Sequence, residues 1–338
     1  MKRKEFRNKP IKPSNKSLII KISLMLVASS IICFTAYGIY LHKQIEVMAI
    51  NAYEPLEDNK NISTTNNDMK VKDQTSILFL GIDDSDKRSQ GEDNSRSDAI
   101  ILATLNKQEK TVKLLSIPRD SLVYIPSNGY NDKINHAFQN GGALSSIETI
   151  EHLLEVPVDY YVKMNFDAFV DIIDALGGIE AEVPFTFTEK DQYDKLTVKL
   201  VKGTHVLDGR EALALARTRK IDNDIERGKR QQELLQSLVE KATSAGSITK
   251  YGDVIQAVGQ HMKTDMTMDT MTSFVSYLKG GMPDIESLSL EGFDDWTSQG
   301  YYWRLDEQNL EDTKLILKSH LEIIDEETIE SASPSTIN

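Results

Sequence analysis

Cysteine and histidine are scarce in this 338-residue sequence: Cys33 is the only cysteine, and the six histidines are scattered. A single cysteine excludes an intramolecular disulfide and any metal site built from several thiolates. The sequence also lacks the Gly-x-x-x-x-Gly-Lys-Ser/Thr, His-Glu-x-x-His and Gly-x-Ser-x-Gly patterns. Phosphate-loop nucleotide binding, zinc proteolysis and hydrolysis by a nucleophile-elbow serine are therefore poorly supported.

Basic residues are outnumbered, with 39 Lys and Arg against 52 Asp and Glu and a formal net charge of −13. A general nucleic-acid binder needs basic surface to neutralise phosphates, so we expect no nucleic-acid partner. The charge is uneven, because residues 1–17 contain seven basic residues and one acidic residue. Hydrophobic residues make up 40% of the chain, which is typical of a sequence that folds.

One uncharged run, residues 22–41, is long enough to cross a membrane. Twenty helical residues span about 30 Å, the thickness of the hydrocarbon core of a bilayer. A cleaved signal peptide is the alternative, but its apolar region is usually shorter, and residues 37–41 form a poor cleavage site. The basic cluster precedes the run, so the positive-inside rule predicts a single-pass type II protein of the cell membrane with a cytoplasmic N-terminus.

The remaining sequence divides by composition into a stalk, a folded domain and a tail. The predicted segments are a cytoplasmic basic tail (1–17), a transmembrane helix (18–41), a stalk (42–73), an extracellular domain (74–324) and a disordered acidic tail (325–338). Within the domain, apolar runs predict strands over residues 77–81, 99–105, 111–117, 158–164, 196–201 and 301–305. Helical spacing predicts helices over 144–154, 166–176, 209–217 and 225–242, and an interrupted helical region over 248–279.

This order of elements predicts the α/β class, with a central mixed sheet flanked by helices on both faces and preceded by one N-terminal transmembrane helix. Residues 99–105 and 111–117 are expected to form an antiparallel hairpin. The folded part includes a core of residues 76–242 and a C-terminal part of residues 243–324.

Two aspartates flank neighbouring predicted strands. Asp83 follows the first strand and Asp98 precedes the second, so their carboxylates meet at one end of the sheet if these strands pair. Two carboxylates with room for water and phosphate suit Mg²⁺. The alternative is a pair of ordinary turn aspartates without a metal.

Several basic residues accompany this pair. The guanidinium groups that could bind phosphate oxygens bidentately belong to Arg119, Arg217, Arg219 and Arg227. Separate structural salt bridges with Glu211, Asp222 or Asp224 are the alternative. The only histidine near these residues, His136, is expected to have a structural role.

The helix predicted over 225–242 has one face that faces the core. Arg227 and Gln231 are four residues apart, and the same stripe continues to leucines over 234–238. A buried-facing arginine needs an anionic partner, which favours a phosphate ligand. Arg230 falls on another face, where we expect an exposed ion pair with Glu226.

Nine short motifs occur in order between residues 76 and 242. They are Leu80-Gly-Ile-Asp83, Arg96-Ser-Asp98, Ser116-Ile-Pro-Arg-Asp120, Asp132-Lys-Ile-Asn135, Val156-Pro-Val-Asp-Tyr-Tyr161, Leu176-Gly-Gly-Ile179, Leu207-Asp-Gly-Arg-Glu-Ala212, Ala216-Arg-Thr-Arg219, and Asp224 through Arg227 to Arg230-Gln-Gln232. As an ordered set they resemble the LytR-CpsA-Psr family, and in particular its teichoic acid transferases of Gram-positive cell walls.

The resemblance implies a Mg²⁺-dependent glycopolymer-phosphate transferase, with Mn²⁺ as an alternative ion. Such an enzyme moves an anionic glycopolymer, such as teichoic acid, from a polyprenyl pyrophosphate carrier to peptidoglycan and releases polyprenyl phosphate. By this resemblance Asp83 and Asp98 bind the metal, and both are catalytic together with Arg119 and Arg219. The implied pyrophosphate-binding residues are Arg119, Arg217, Arg219, Arg227, Gln231, Lys133 and Arg96.

Several alternatives stay open at the level of the sequence. Asp84 directly follows Asp83 and could join the metal site, and the loop over 85–94 adds three acidic residues nearby. The apolar faces of 166–176 and 234–238 could shelter the prenyl chain or simply form a core. Rival functions are a membrane-anchored regulator, a module that binds a glycan lipid, and a lipid pyrophosphatase. The polymer, the oligomeric state and the base among the aspartates are not determined.

Overall fold

The computed structural model describes residues 15–56, 72–82, 95–191, 197–218, 224–244, 251–277, 282–298 and 300–324. The chain divides into two compact units, Met1–Ile45 and Glu46–Asn338. The helices are α1 (Asn15–Ala52), α2 (Asn135–Leu154), α3 (Phe166–Leu176), α4 (Gly209–Arg217), α5 (Asp224–Thr243), α6 (Tyr251–His261), α7 (Met268–Tyr277) and α8 (Glu307–His320).

The strands are short and numerous in the second unit. They are β1 (Gln74–Ile82), β2 (Ser97–Asn106), β3 (Thr111–Ser116), β4 (Leu122–Ile125), β5 (Tyr130–Lys133), β6 (Tyr160–Asn165), β7 (Ile179–Val183), β8 (Phe187–Lys190), β9 (Thr197–Leu200), β10 (Gly203–Leu207), β11 (Met262–Thr264), β12 (Asp284–Ser289), β13 (Gly292–Thr297) and β14 (Gly300–Leu305).

The first unit contains most of α1. Its stretch Met25–Ala52, which runs on into the second unit, has a mean hydropathy of 1.5 and is long enough to cross a bilayer. Apolar side chains such as Ile31 and Ile32 are exposed. An exposed apolar helix of this length suggests a membrane anchor, since so much apolar surface is unfavourable in water.

The structure corrects the first part of the predicted stalk. Residues 42–52 complete α1, and Ala49 and Ala52 are buried in the second unit. The backbone N–H of Glu54 donates to the carbonyl oxygen of Thr264 at 2.8 Å, and Lys163 pairs with the Glu54 carboxylate at 3.0 Å. One side of this segment thus packs within the second unit, whereas Val47 and Ile50 remain exposed. The polar residues 57–71 lie outside the described part of the chain.

A six-stranded mixed sheet forms the centre of the second unit, in the order β11-β6-β1-β2-β3-β12. β1 is antiparallel to β2 and parallel to β6, and β2 and β3 form the predicted antiparallel hairpin. β3 is parallel to β12, and β11 is antiparallel to β6. The predicted mixed sheet is therefore confirmed.

Side chains alternate between the two faces of this sheet because successive strand residues point in opposite directions. On one face, Leu78 and Leu102 belong to a core that includes Ile150 of α2 and Leu317 of α8. On the other face, Ile101 packs in a cluster that Leu235 of α5 borders. Helices thus cover both faces, as predicted.

A second core joins α3, α4 and α5 to the small strands β7–β10. The predicted bounds of α3 and α4 are confirmed, because local capping determines both. Asn165 accepts a hydrogen bond from the N–H of Ala168 at 2.9 Å, and Gly177 ends α3 with a left-handed φ of 76°. Asp208 and Glu211 form a capping box at the start of α4.

Candidate active site

A cavity of about 690 Å³ lies where β1, β2, α3 and α5 come together. Its lining is polar in one part and apolar in another. The charged and amide-bearing lining residues are Arg96, Asp98, Arg119, Asp120, Lys133, Asn135, Asn165, Arg217, Arg227 and Gln231. The larger apolar lining residues include Phe166, Phe169, Leu234, Leu235 and Leu238. Such a cavity suits a ligand with an anionic group attached to a hydrocarbon.

The pairing of β1 with β2 brings Asp98 to the end of β1. Gly81 pairs with Ala99 and Ile82 with Ser97, and the register shifts between these two pairs. Asp98 therefore lies beside the point where the chain leaves β1 at Ile82, as the sequence predicts. Asp83 and Asp84 come next and lie outside the described residues.

Charged side chains alternate in sign along one wall of the cavity. Nη1 of Arg119 donates to the Asp98 carboxylate, and Nε of Arg119 lies 3.6 Å from Oδ2 of Asp120. Nζ of Lys133 donates to Oδ1 of Asp120 at 2.8 Å. The buried Asp120 thus holds two cations, and these ion pairs fix where Arg119 and Lys133 lie.

The face predicted for α5 is confirmed for Arg227 and Gln231. Both residues line the cavity, and the Arg227 side chain is buried. Nε2 of Gln231 donates to the carbonyl oxygen of Ala216 at 3.2 Å. One helix therefore presents a guanidinium, an amide and then Leu234 and Leu238 to the cavity. This sequence of groups matches the change from a polar to an apolar lining.

Arg217 enters the cavity from the last turn of α4. Its guanidinium carbon lies 4.9 Å from the centroid of the Phe166 ring. Its Nη1 is buried and has no hydrogen-bond partner among the residues that the structure describes. A buried guanidinium nitrogen is unfavourable without an acceptor, so this position suits an anionic oxygen of a ligand.

The expectation for Arg230 is wrong. Its side chain is 5% exposed, Nε donates to the carbonyl oxygen of Leu215 at 3.2 Å, and Nη2 donates to that of Thr218 at 2.8 Å. Glu226 pairs with Lys229 at 2.8 Å. The last carbonyl groups of α4 have no partners within their own helix, and Arg230 supplies donors to them.

The structure places the other predicted residues as follows. Arg96 lines the cavity and donates from Nε to Oε1 of Gln139 at 3.1 Å. His136 makes a 2.8 Å contact with Oδ2 of Asp132, in agreement with a structural role. Arg219 follows Thr218 directly and lies outside the described residues, as does the side chain of Asp224.

Several polar lining residues were missed from the sequence, among them Asp120 and Tyr301. Asp120 ends the motif that contains Arg119, so its position in that motif was an available signal. Tyr301 belongs to β14, which reaches the site because the N–H of Trp303 donates to the carbonyl oxygen of Asp120 at 2.9 Å. No local pattern indicates a contact over that separation.

The donor set is compatible with a magnesium ion that completes its coordination from a ligand. Within the described ranges, no group of three or more His, Cys, Asp and Glu side chains could hold a metal. Mg²⁺ usually binds one or two carboxylates together with waters and substrate phosphates. Asp98, which also contacts Arg119, can supply one such carboxylate. Asp83, the predicted second ligand, lies outside the described residues.

Comparison with known proteins decides the family. The model of the LytR_cpsA_psr family matches residues 39–319. The chain belongs to this family. Among family members, the polyisoprenyl-teichoic acid–peptidoglycan teichoic acid transferase TagT of Bacillus subtilis (strain 168) is 41% identical over 254 residues, which cover 74% of this chain and 78% of TagT.

One further relative covers more of the chain, and a solved structure contains a bound ligand. The transferase TagU of Halalkalibacterium halodurans is 35% identical over 313 residues, covering 91% of this chain and 99% of TagU. A solved structure of the LytR-CPS2A-psr family protein YwtF (TagT) with bound octaprenyl pyrophosphate lipid has a TM-score of 0.58 and 35% identity. That match covers 75% of this chain and 92% of the solved chain.

Proposed function

We propose that this protein transfers an anionic glycopolymer from a polyprenyl pyrophosphate carrier to peptidoglycan. The observation that carries the proposal is that Arg119, Arg217 and Arg227 share one cavity with an apolar part lined by α3 and α5. A prenyl pyrophosphate likewise joins an anionic group, the pyrophosphate, to an apolar hydrocarbon chain. The names of TagT and TagU, and the lipid bound in the solved structure, agree with this substrate class.

The donor binds with its pyrophosphate at the arginines. Guanidinium groups hold phosphate oxygens bidentately, and Nη1 of Arg217 gains the acceptor that the described residues do not supply. Gln231 lies on the same face of α5 and adds an amide donor. The prenyl chain extends from there along Leu234, Leu235 and Leu238, where its burial removes apolar surface from water.

We propose Mg²⁺ as the cofactor, with Mn²⁺ as an alternative. Asp98 and Asp83 would hold the ion, and when bound it neutralises charge on the phosphate oxygens. Arg119 contacts Asp98, so the same carboxylate positions a guanidinium next to the reacting phosphate. Asp120 holds Lys133 nearby, which adds a further positive charge.

The transfer breaks the phosphoanhydride bond of the donor and forms a phosphodiester with the acceptor. A hydroxyl oxygen of peptidoglycan forms a bond to the phosphorus that bears the glycan, and the bond from this phosphorus to the bridging oxygen breaks. Polyprenyl phosphate leaves with that oxygen, and the hydroxyl proton passes to Asp83 or Asp98. Positive side chains around two phosphates stabilise the charge that develops during such a displacement.

We further propose that α1 anchors the protein with its second unit outside the cell membrane. The basic residues before the apolar stretch favour a cytoplasmic N-terminus. An anchored enzyme also stays in the surface where its lipid donor is found, which raises the effective donor concentration.

The test uses the full-length protein in detergent micelles with a lipid pyrophosphate glycan, peptidoglycan and Mg²⁺. We expect polyprenyl phosphate to be released as the glycan becomes attached to peptidoglycan, and EDTA to stop both products. Equal release of polyprenyl phosphate without peptidoglycan would identify a pyrophosphatase instead. Tight donor binding without turnover would identify a regulator or a binding module.

A further inference from the structure

An aromatic pair, the exposed Trp296 and the partly buried Tyr301, lies beside the cavity on the hairpin formed by β13 and β14. Trp296 is 77% exposed, although tryptophan side chains usually bury most of their surface. It lies directly opposite Tyr301 in the register of the hairpin, with ring centroids 5.1 Å apart and planes inclined by 54°. Tyr301 also lines the cavity, so this aromatic surface is continuous with the proposed phosphate site.

The hairpin is held firmly against the charged wall of the site. Trp303 is buried, and its N–H donates to the carbonyl oxygen of Asp120. Its ring packs over Gly292, where an added Cβ would lie 2.7 Å from the indole nitrogen. Nζ of Lys133 lies 5.7 Å from the centroid of the Tyr301 ring. These contacts fix β14 beside the cavity. Because the strand that carries Trp296 pairs with β14, they also fix the position of Trp296 relative to the cavity.

The polar groups beside this surface favour a neutral ligand rich in hydroxyl groups. The hydroxyl of Tyr301 donates to Oδ1 of Asp294 at 2.9 Å, and Arg304 pairs with Asp295 at 2.6 Å. The hairpin residues Gly292–Leu305 include two carboxylates and one guanidinium, so their net charge is negative. A polymer that carries phosphates is repelled here, whereas a sugar can stack on an aromatic ring and donate hydroxyls to a carboxylate.

We propose that Trp296 and Tyr301 form the acceptor subsite, on which a pyranose ring of the peptidoglycan glycan strand stacks beside the cavity. This inference rests on the proposed function for the identity of the acceptor. The polar C–H groups on one face of a pyranose ring are attracted to the negative face of an indole. When one sugar of the strand stacks here, the hydroxyl of the next sugar reaches the phosphate that lies between Arg119 and Lys133.

Phe293 provides a matched control on the same hairpin. It is 55% exposed, but it lies three residues before Trp296 and therefore points to the opposite face of the strand. Trp296→Ala and Phe293→Ala remove an exposed aromatic ring of comparable size from one element. Both variants should retain the wild-type melting temperature, because neither ring is buried.

The first measurement is isothermal titration of the full-length protein in micelles with oligosaccharides of alternating N-acetylglucosamine and N-acetylmuramic acid, without donor. We expect Trp296→Ala to weaken binding about fivefold to tenfold, Trp296→Phe to recover part of the loss, and Phe293→Ala to bind like wild type. Equal affinity in Trp296→Ala and wild type, an equal loss in Phe293→Ala, or no binding by wild type would overturn the proposal.

The second measurement separates acceptor from donor in the transfer reaction. Trp296→Ala should raise KM for peptidoglycan with unchanged KM for the lipid donor and unchanged kcat at saturating acceptor. A raised KM for the donor would place the donor's sugar on this surface and overturn the assignment. If wild type binds the oligosaccharides but transfers nothing, the proposed function fails while the glycan subsite stands.

Discussion

Nη2 of the buried Arg230 donates to the carbonyl oxygen of Thr218 at 2.8 Å, one residue before Arg219. This contact joins the first turns of α5 to the end of α4. Nε of the same guanidinium donates to the carbonyl oxygen of Leu215. Arg230 therefore holds the backbone from which Arg217 enters the cavity and from which the chain continues to Arg219.

Arg230→Ala is expected to lower the free energy of unfolding by about 2–3 kcal/mol, because two buried carbonyl oxygens lose their donor and a cavity remains. Thermal or urea unfolding measures the loss. Lys229→Ala, at an exposed position where the side chain pairs with Glu226, should change stability by less than about 1 kcal/mol. Equal stability of the two variants would show that the Arg230 contacts contribute little.

Arg119→Ala and Arg219→Ala are expected to abolish transfer while the melting temperature stays near that of wild type. Removing one preorganised group that stabilises developing charge costs about 10²–10³ in rate. The measurement is polyprenyl phosphate release per folded protein. Arg210→Ala is the control, since this half-exposed arginine lies 3.8 Å from Asp208 at the start of α4. A wild-type rate of transfer in Arg119→Ala would show that Arg119 takes no part in the reaction.

Leu238→Trp is expected to impair binding of a long prenyl chain selectively. The ring fills the apolar part of the cavity, about 16 Å along α5 from Arg227. Affinity for an undecaprenyl pyrophosphate should fall about tenfold, whereas a geranyl pyrophosphate should bind unchanged. Glu240→Trp places the same ring at an exposed position of α5 and should affect neither lipid. If both lipids lost affinity equally, the prenyl chain would not reach Leu238.

Asp265→Asn is expected to change how stability depends on pH. Burial raises the pKa of Asp265 from 3.8 to about 6, although its carboxylate accepts a hydrogen bond from the N–H of Tyr161 at 3.0 Å. The folded state binds this proton more tightly than the unfolded state, so stability falls as pH rises from about 4 to 6.

Above that range the cost of the charged Asp265 is fully present, on the order of 3 kcal/mol. Urea unfolding at pH 4.5 and pH 8 should therefore show Asp265→Asn gaining stability relative to wild type at the higher pH. Asp284→Asn, at an exposed strand residue, serves as the control and should show a constant difference. A pH-independent difference for Asp265→Asn would mean that its carboxyl titrates alike in both states.

Local sequence signals predicted the bounds of two capped helices, α3 and α4. Phe166–Leu176 has an asparagine before it and a glycine after it, and Gly209–Arg217 begins with a capping box. α2 was predicted to begin near residue 144, but it begins at Asn135, because the chain remains helical on both sides of a break at Gly141 and Gly142. α8 was not predicted, although Asp306 caps it.

The candidate site could be predicted in part. The pairing that brings Asp98 to the end of β1, and the face of α5 that carries Arg227 and Gln231, both follow from periodicity and strand order. The burial of Arg230 did not follow, because its partners are carbonyl oxygens of another helix. The ion-pair partner of Glu226 also depended on that packing, because both Lys229 and Arg230 lie within one helical turn of it.

The sequence by itself determined the family, the apolar segment of membrane length and the order of the charged motifs, because each can be read from residue types and their order along the chain. Tertiary structure decided that Asp120 holds Lys133, that Tyr301 borders the cavity, and that Glu54 contacts the sheet. Those contacts join segments far apart in sequence. They depend on how whole elements pack, and no local periodicity or capping signal specifies that packing.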